Sequence, residues 1–178
     1  MIRFLIPALL FLVLTGFLFV GLYKDPTLIP SPLIGKPIPT FATSTLRNPE
    51  KLITDKDIQG DYALINIWAT WCGACKQEHA ALIYLANKLQ VPIYGLNYKD
   101  DRAAAINWLK QYGDPYVVNV FDGNGRIGID FGVYGAPETF LVDGDGIIHH
   151  KLVGIMTPDV WEKQFVPKIQ HITSMVIK

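Results

Sequence analysis

From Tyr62 to Trp68 the chain reads Tyr-Ala-Leu-Ile-Asn-Ile-Trp, nearly continuous in apolar residues, and it then passes at once into a helical pattern. A short apolar run of this kind is a central strand covered on both faces, which commits the chain to a layered α/β architecture. At the junction stand Cys72 and Cys75, in Trp71-Cys-Gly-Ala-Cys75, the only two cysteines present. Their placement reads as an exposed redox couple rather than a structural staple.

A disulfide stabilises mainly by closing a loop in the unfolded chain, and so short a loop gains little. Two thiolates spaced C-x-x-C are half of a zinc site, but no second C-x-x-C or H-x3-5-H pair follows at finger-like spacing. Covalent haem attachment requires His directly after the second cysteine, and Lys76 stands there. Dithiol–disulfide exchange is the reading that remains.

The N-terminus sets the compartment. Phe4 to Tyr23 is an almost unbroken apolar run, about twenty residues and long enough to span a bilayer core of about 30 Å as a helix. Arg3 and the free amine precede it, while Lys24 and Asp25 cancel after it, so the N-terminus is expected in the cytoplasm and the rest outside. A cleaved signal peptide is the competing reading. The run is long for a signal h-region and no small-x-small cleavage site follows, which favours an uncleaved anchor over residues 1–23.

Of 178 residues, those after the anchor suffice for one domain with a full core. The formal net charge is zero, so there is no electrostatic case for nucleic-acid binding. Residues 24–39 hold Pro26, Pro30, Pro32, Pro37 and Pro39 without helical periodicity and read as a semi-extended tether. The domain is expected over residues 40–178.

Within it, Phe41 to Leu46 is expected as an edge strand. Thr54-Asp-Lys-Asp57 resembles a capping box, so a short helix is expected before Gly60. A helix from Cys72 to Leu89 and a buried strand Pro92–Asn97 make, with Tyr62–Trp68, a right-handed parallel unit. A helix Arg102–Tyr112 and a strand Tyr116–Phe121 lead into the turn Asp122-Gly-Asn-Gly125. Strands Glu138–Val142 and Ile147–Val153 flank Asp143-Gly-Asp-Gly146, a strong hairpin signal. Thr157-Pro158 opens a closing helix that Pro167 bends or ends.

At the amino end of a helix a thiolate lies beside unpaired N–H groups and the positive end of the dipole, which lowers its pKa. Cys72 is therefore expected as the nucleophile and Cys75, one turn in, as the resolving thiol. Glu78 falls in phase with Leu82, Leu85 and Leu89, on the face turned to the sheet. A carboxylate desolvated there gains proton affinity and is suited to exchange a proton with Cys75. The alternative is that Glu78 swings to solvent or pairs with a lysine. His79 reads as a half-exposed helix residue, and His149 and His150, on opposite faces of one strand, do not favour a shared metal.

Trp68-Ala-Thr-Trp-Cys-Gly-Ala-Cys75 resembles the active-site stretch of thioredoxin-fold proteins, and Gly135-Ala-Pro-Glu-Thr-Phe-Leu-Val-Asp143 the segment bearing their cis-proline loop. With Glu78-His79, Asn97-Tyr-Lys-Asp-Asp101 and Gly132-Val-Tyr-Gly-Ala-Pro-Glu138, the chain after about Pro37 is similar to the thiol:disulfide interchange proteins of cytochrome c biogenesis, the CcmG or DsbE family. The resemblance implies a thioredoxin-like α/β fold with a central helix–strand insert, which Arg102 to Phe121 fits, preceded by one transmembrane helix.

It further implies a membrane-anchored periplasmic reductase that keeps the haem-binding cysteines of apocytochrome c as thiols. The substrate is apocytochrome c or a thiol carrier of a maturation complex, the reductant a membrane protein of DsbD or CcdA type, and the location the inner membrane. Cys72 and Cys75 match the dithiol, Trp71 the residue before it, Pro137 the cis-proline, Glu78 and Glu138 the acidic residues near the site, and Tyr134 its neighbour in the loop. From the residues alone a trans turn proline is the favoured reading of Pro137. No metal and no cofactor beyond the Cys72–Cys75 disulfide is implied. Gly73-Ala74 departs from the proline-containing pairs common in the family, which leaves the redox poise open.

Two other functions fit a C-x-x-C chain of this kind. A general periplasmic oxidant or isomerase requires a potential nearer DsbA at about −120 mV than thioredoxin at about −270 mV. A copper- or apoprotein-binding module requires wider cysteine spacing and a suitably placed histidine, and neither is evident.

Overall fold

A computed structural model of the chain describes residues 2–22, 31–58 and 60–176. The elements in order are α1 (Ile2–Leu22), β1 (Ala42–Ser44), β2 (Leu52–Thr54), a 3-10 turn (Asp55–Asp57), β3 (Tyr62–Trp68), α2 (Gly73–Lys88), β4 (Ile93–Tyr98), α3 (Arg102–Tyr112), β5 (Val118–Asp122), α4 (Arg126–Asp130), β6 (Glu138–Asp143) and β7 (Ile148–Val153). A composite helix closes the chain: α5 (Pro158–Val160), a π turn (Trp161–Phe165) and α6 (Val166–Val176).

The main sheet runs β5-β4-β3-β6-β7. β3 pairs in parallel with β4, and β4 with β5, while β6 and β7 run antiparallel. β3 is thus central. Its alternate residues serve two cores: Ala63, Ile65 and Ile67 face Ile127, Phe131, Phe140 and Val142, whereas Leu64 faces Leu82, Leu85, Phe165 and Ile172. Period two therefore puts Asn66, the one polar residue of the run, on the side that α2 covers. Burying each Leu, Ile or Phe here contributes about 1.5–3 kcal/mol. α3 and β5 lie between β4 and α4 in the chain, and β5 extends the sheet as an edge strand.

Several elements differ from expectation. β1 pairs with β2 in a separate two-stranded sheet, touching the main sheet through the Thr45–Val120 bridge rather than serving as its edge. The Thr54-to-Asp57 turn forms, with the Asp57 carboxylate accepting from Thr54 N–H at 2.7 Å and its hydroxyl at 2.8 Å. α4 follows Asp122-Gly-Asn-Gly125, where only a turn was expected; buried Asp122 accepts from Ile127 N–H at 3.2 Å and Gly128 N–H at 2.8 Å and so starts the helix. Pro167 does not end the closing helix. Its ring would crowd the carbonyl four residues back, and the widened π turn just before it takes up that misfit. Leu89, expected on the buried stripe, is the exposed C-cap of α2.

The first part of the expected tether, residues 24–30, and Tyr23 at the end of the expected anchor lie outside the described residues. The remainder is not free chain: Gly35 N–H donates to Ile148 O at 2.8 Å, Ile38 N–H to Gly146 O at 2.9 Å, and Ile38 is buried in the core. Proline excludes helix but not this docking, because neighbouring residues keep their N–H groups. In α1 the large apolar side chains between Ile6 and Val20 are exposed. Among the described residues no helix is long and apolar enough to cross a membrane.

One close approach organises the sheet's outer half. Gly95 sits between Asn66 on β3 and Asn119 on β5 in register, and the Trp68 indole N–H crosses it to donate to Asn119 Oδ1 at 2.9 Å. A Cβ at Gly95 would collide with the Asn119 amide and lie 2.9 Å from Trp68 Nε1. Gly95→Ala is expected to destabilise the domain by about 1–3 kcal/mol, as overpacking does, read as a lower urea midpoint at unchanged m. A midpoint equal to the parent's would show that the hydrogen bond does not need the bare glycine.

Candidate functional site

β3 ends at Trp68, and the chain turns through Ala69–Trp71 to make Cys72 the N-cap of α2. Cys72 N–H donates to Ala69 O at 3.2 Å, and Cys75 N–H donates to Cys72 Sγ at 3.0 Å. The two cysteines form a disulfide, with Cα atoms 5.3 Å apart. The sulfur of Cys72 thus occupies the cap position, where a helix presents N–H groups with no carbonyl partner. The turn is tied to the end of β4. The Asp100 carboxylate accepts from Thr70 N–H at 2.7 Å, the Thr70 hydroxyl at 2.6 Å and Asn97 Nδ2 at 2.9 Å. The exposed Trp71 ring donates its N–H to Lys99 O at 2.9 Å.

The couple is less open than expected: Cys72 is 6% exposed and Cys75 3%. The cause is packing, since both join an apolar cluster with Leu46, Trp68, Ala105 and Leu109, against which Ala136 also rests.

Glu78 faces the sheet, as its phase predicts, and is buried. Its Oε1 accepts from Asn66 Nδ2 at 2.8 Å and its Oε2 from Met156 N–H at 2.7 Å. Asn66 also donates to Thr139 Oγ1 at 3.1 Å and accepts from the Tyr116 hydroxyl at 2.9 Å. Desolvation pushes the carboxyl pKa up to about 7, against the smaller opposing effect of the hydrogen bonds from Met156 and Asn66. A carboxyl poised near neutrality, one helical turn from Cys75, can both accept and return a proton.

The Ala136–Pro137 peptide is cis, and Ala136 brings this loop onto the cysteine cluster. Glu138, the first residue of β6, is buried; its Oε1 accepts from Tyr134 N–H at 2.8 Å. Lys151 on β7 lies 3.0 Å from Glu138 Oε2 as a buried ion pair. The ammonium donates to Gly132 O at 2.8 Å and sits 4.4 Å from the centroid of the exposed Tyr134 ring. The loop from Gly132 to Glu138 is therefore held from beneath by one buried cation.

The sequence reading did not assign Asn66, Lys151, Asp100 or Tyr116 to the site. Asn66 carried a signal, a polar side chain in an otherwise apolar strand facing a core, whereas Lys151 follows His149 and His150 in β7 and carried none. His79 is buried, not half-exposed: its Nε2–H donates to Gly113 O at 3.1 Å and the ring packs edge-on to Trp108. Burial lowers its pKa, outweighing the bonds to the Gly113 and Tyr112 backbone. His149 pairs with Asp143 at 2.6 Å and His150 with Gln164 at 3.1 Å, on opposite faces of β7. Among the described residues no group of three or more His, Cys, Asp or Glu side chains is placed to hold a metal ion.

Comparison with known proteins agrees with this geometry. Residues 33–165 match the Redoxin family. The chain is 48% identical over 168 residues to the thiol:disulfide interchange protein DsbE of Pseudomonas aeruginosa, covering 94% of this chain and 93% of that one. It is 46% identical over 169 residues to DsbE of Escherichia coli, covering 92% and 91%. Among solved structures, a thiol:disulfide interchange protein DsbE from Chlorobium tepidum aligns with a TM-score of 0.66 at 24% identity, over 76% of this chain and 97% of that one, and supports the fold alone. A helix-capping disulfide on a thioredoxin-like sheet, in a chain with these relatives, defines a thiol–disulfide oxidoreductase. The chain belongs to the DsbE family of thiol:disulfide interchange proteins.

The raised pKa of Glu78 makes stability depend on pH. The unfolded carboxyl ionises near 4.5 and the folded one near 7, so between these values the folded state binds more protons. The stabilisation is complete below the unfolded value and is lost as pH rises through about 7. In the oxidised protein, the stability of Glu78→Gln relative to the parent is expected to rise by roughly 2–3 kcal/mol between about pH 4 and about pH 8. Denaturant titrations at each pH measure this, and a pH-independent difference would contradict the assignment.

Proposed function

We propose that this chain is a membrane-anchored periplasmic reductase that returns the haem-binding cysteine pair of an apocytochrome c, or of a thiol carrier in its maturation complex, to the dithiol state. The observation that carries this reading is the pairing of a helix-capping disulfide with a buried carboxyl of near-neutral pKa one turn away, in a chain whose relatives are named DsbE.

In the reduced protein Cys72 is the thiolate and Cys75 the thiol. Cys72 Sγ attacks one sulfur of the substrate disulfide, whose S–S bond breaks to leave a mixed disulfide and one substrate thiolate, protonated from solvent. Cys75 gives its proton to Glu78 and attacks Cys72 Sγ. The second substrate sulfur departs, taking up the proton that Glu78 held. Two electrons have passed to the substrate and the protein is left with the Cys72–Cys75 bond. A membrane dithiol carrier of DsbD or CcdA type reduces it again.

Trp71 and Tyr134 form the exposed substrate-facing rim in this reading, over the buried Pro137 and Glu138. The Pro137 loop supplies backbone groups beside the dithiol for an extended peptide, and the Glu138–Lys151 pair keeps Tyr134 at the surface. The apolar run from Phe4 to Tyr23 and the exposed apolar face of α1 support an inner-membrane anchor, with the catalytic domain in the periplasm.

Cys75→Ser is expected to accumulate a mixed disulfide between Cys72 and a peptide bearing Cys-x-x-Cys-His, detected by mass spectrometry from whole membranes. Trapping through Cys75 in Cys72→Ser, with none through Cys72, would reverse the roles. The full-length chain is expected to stay in the membrane pellet through alkaline carbonate washing, and its release would remove the anchor.

A further inference from the structure

Tyr116 belongs to the insert, just before β5. Its hydroxyl donates to Asn66 Oδ1 at 2.9 Å, and its ring stacks on Trp68 with centroids 5.6 Å apart. Asn66 is fully buried, and its amide donates to Glu78 and Thr139. The two ends of an Asn amide have nearly the same shape, so partners decide which end faces which. Glu78 alone does not decide it. An ionised carboxylate requires the NH2 end, but a protonated one can donate to the oxygen end.

We infer that Tyr116 is a positioning residue for Glu78: by donating to Asn66 Oδ1 it locks the amide with its NH2 end toward the carboxylate. The inference rests on the proton-carrier reading of Glu78. Among the described residues the Tyr116 hydroxyl has this one hydrogen bond. If the amide turned over, NH2 would face the phenol and leave the phenolic proton without an acceptor inside the core, which is costly. Burial, with Glu78 and Asp114 nearby, raises the phenol pKa well above its usual value, so the proton is always there to give.

The consequence falls on the carboxyl. With the amide locked, the ionised form keeps a donor and the protonated form cannot recruit the amide oxygen. Glu78 then releases its proton near neutrality instead of retaining it. The titratable groups around it are few. Tyr116 faces it through Asn66, with Asp114 beyond, and Cys75 and His79 share its helix. β6 offers only the hydroxyl of Thr139, and the loop before α5 the N–H of Met156.

Tyr116→Phe removes one oxygen and retains the stacking ring. In the full-length oxidised protein, carbon-13 NMR of the Glu78 carboxyl is expected to titrate about one pH unit higher in Tyr116→Phe than in the parent. The pH profile of mixed-disulfide resolution should move by the same amount. An unmoved carboxyl midpoint overturns the inference. Should the variant not fold, the parent decides: both Asn66 side-chain NH2 protons must shift with the Glu78 midpoint, and an unresponsive pair overturns it equally. Glu78→Gln separates the two readings. If it leaves the resolution profile unchanged, the proton-carrier role fails, while the carboxyl titration still tests Tyr116.

Discussion

The active end of this molecule depends on the pairing of β3 with β6. Their antiparallel register sets Ile67 opposite Glu138, so the strand that delivers the disulfide turn lies beside the strand that begins at the Pro137 loop. A one-residue slip would turn Asn66 away from α2 and Ile67 out of its core. The apolar alternation of β3, with clusters on both faces, makes such a slip costly. Dithiol and loop are thus brought together by a core register, and the surface residues inherit their positions from it.

Two carboxyls are buried around this register, and the protein treats them differently. Glu138 has a cation in contact, Lys151, and the pair is diagonal across β6 and β7, since Glu138 opposes Val153 and Phe140 opposes Lys151. Glu78 has only neutral donors, and desolvation prevails over them. The first arrangement fixes a loop through charge. The second leaves a proton near its midpoint. Removing Lys151 would strand a buried anion, a heavier loss than the net worth of the pair.

Much of this was legible in the sequence because it follows from periodicity. β3, α3 and the hairpin of β6 and β7 declare themselves through apolar patterning and turn residues, and the phase of Glu78 placed it on the buried face. What escaped were features that depend on partners distant in the chain. α4 is only five residues long and is nucleated by Asp122, whose role is invisible without the turn's geometry. The burial of His79 comes from the insert, through Trp108 and Gly113. The coverage of Cys72 depends on Leu46 and Leu109, far away in sequence. Lys151 reads as a surface cation until β6 is laid beside it.

The cap contact between Cys75 N–H and Cys72 Sγ has two faces in the proposed cycle. A sulfur whose negative charge is relieved by an N–H donor is a tempered nucleophile, since nucleophilicity falls with basicity. The same relief makes it a better leaving group. When a reductant has attacked Cys72 and must then be discharged from it, Cys72 is the sulfur that departs. In that cycle one backbone hydrogen bond exchanges some speed of attack on the substrate for speed of recharging.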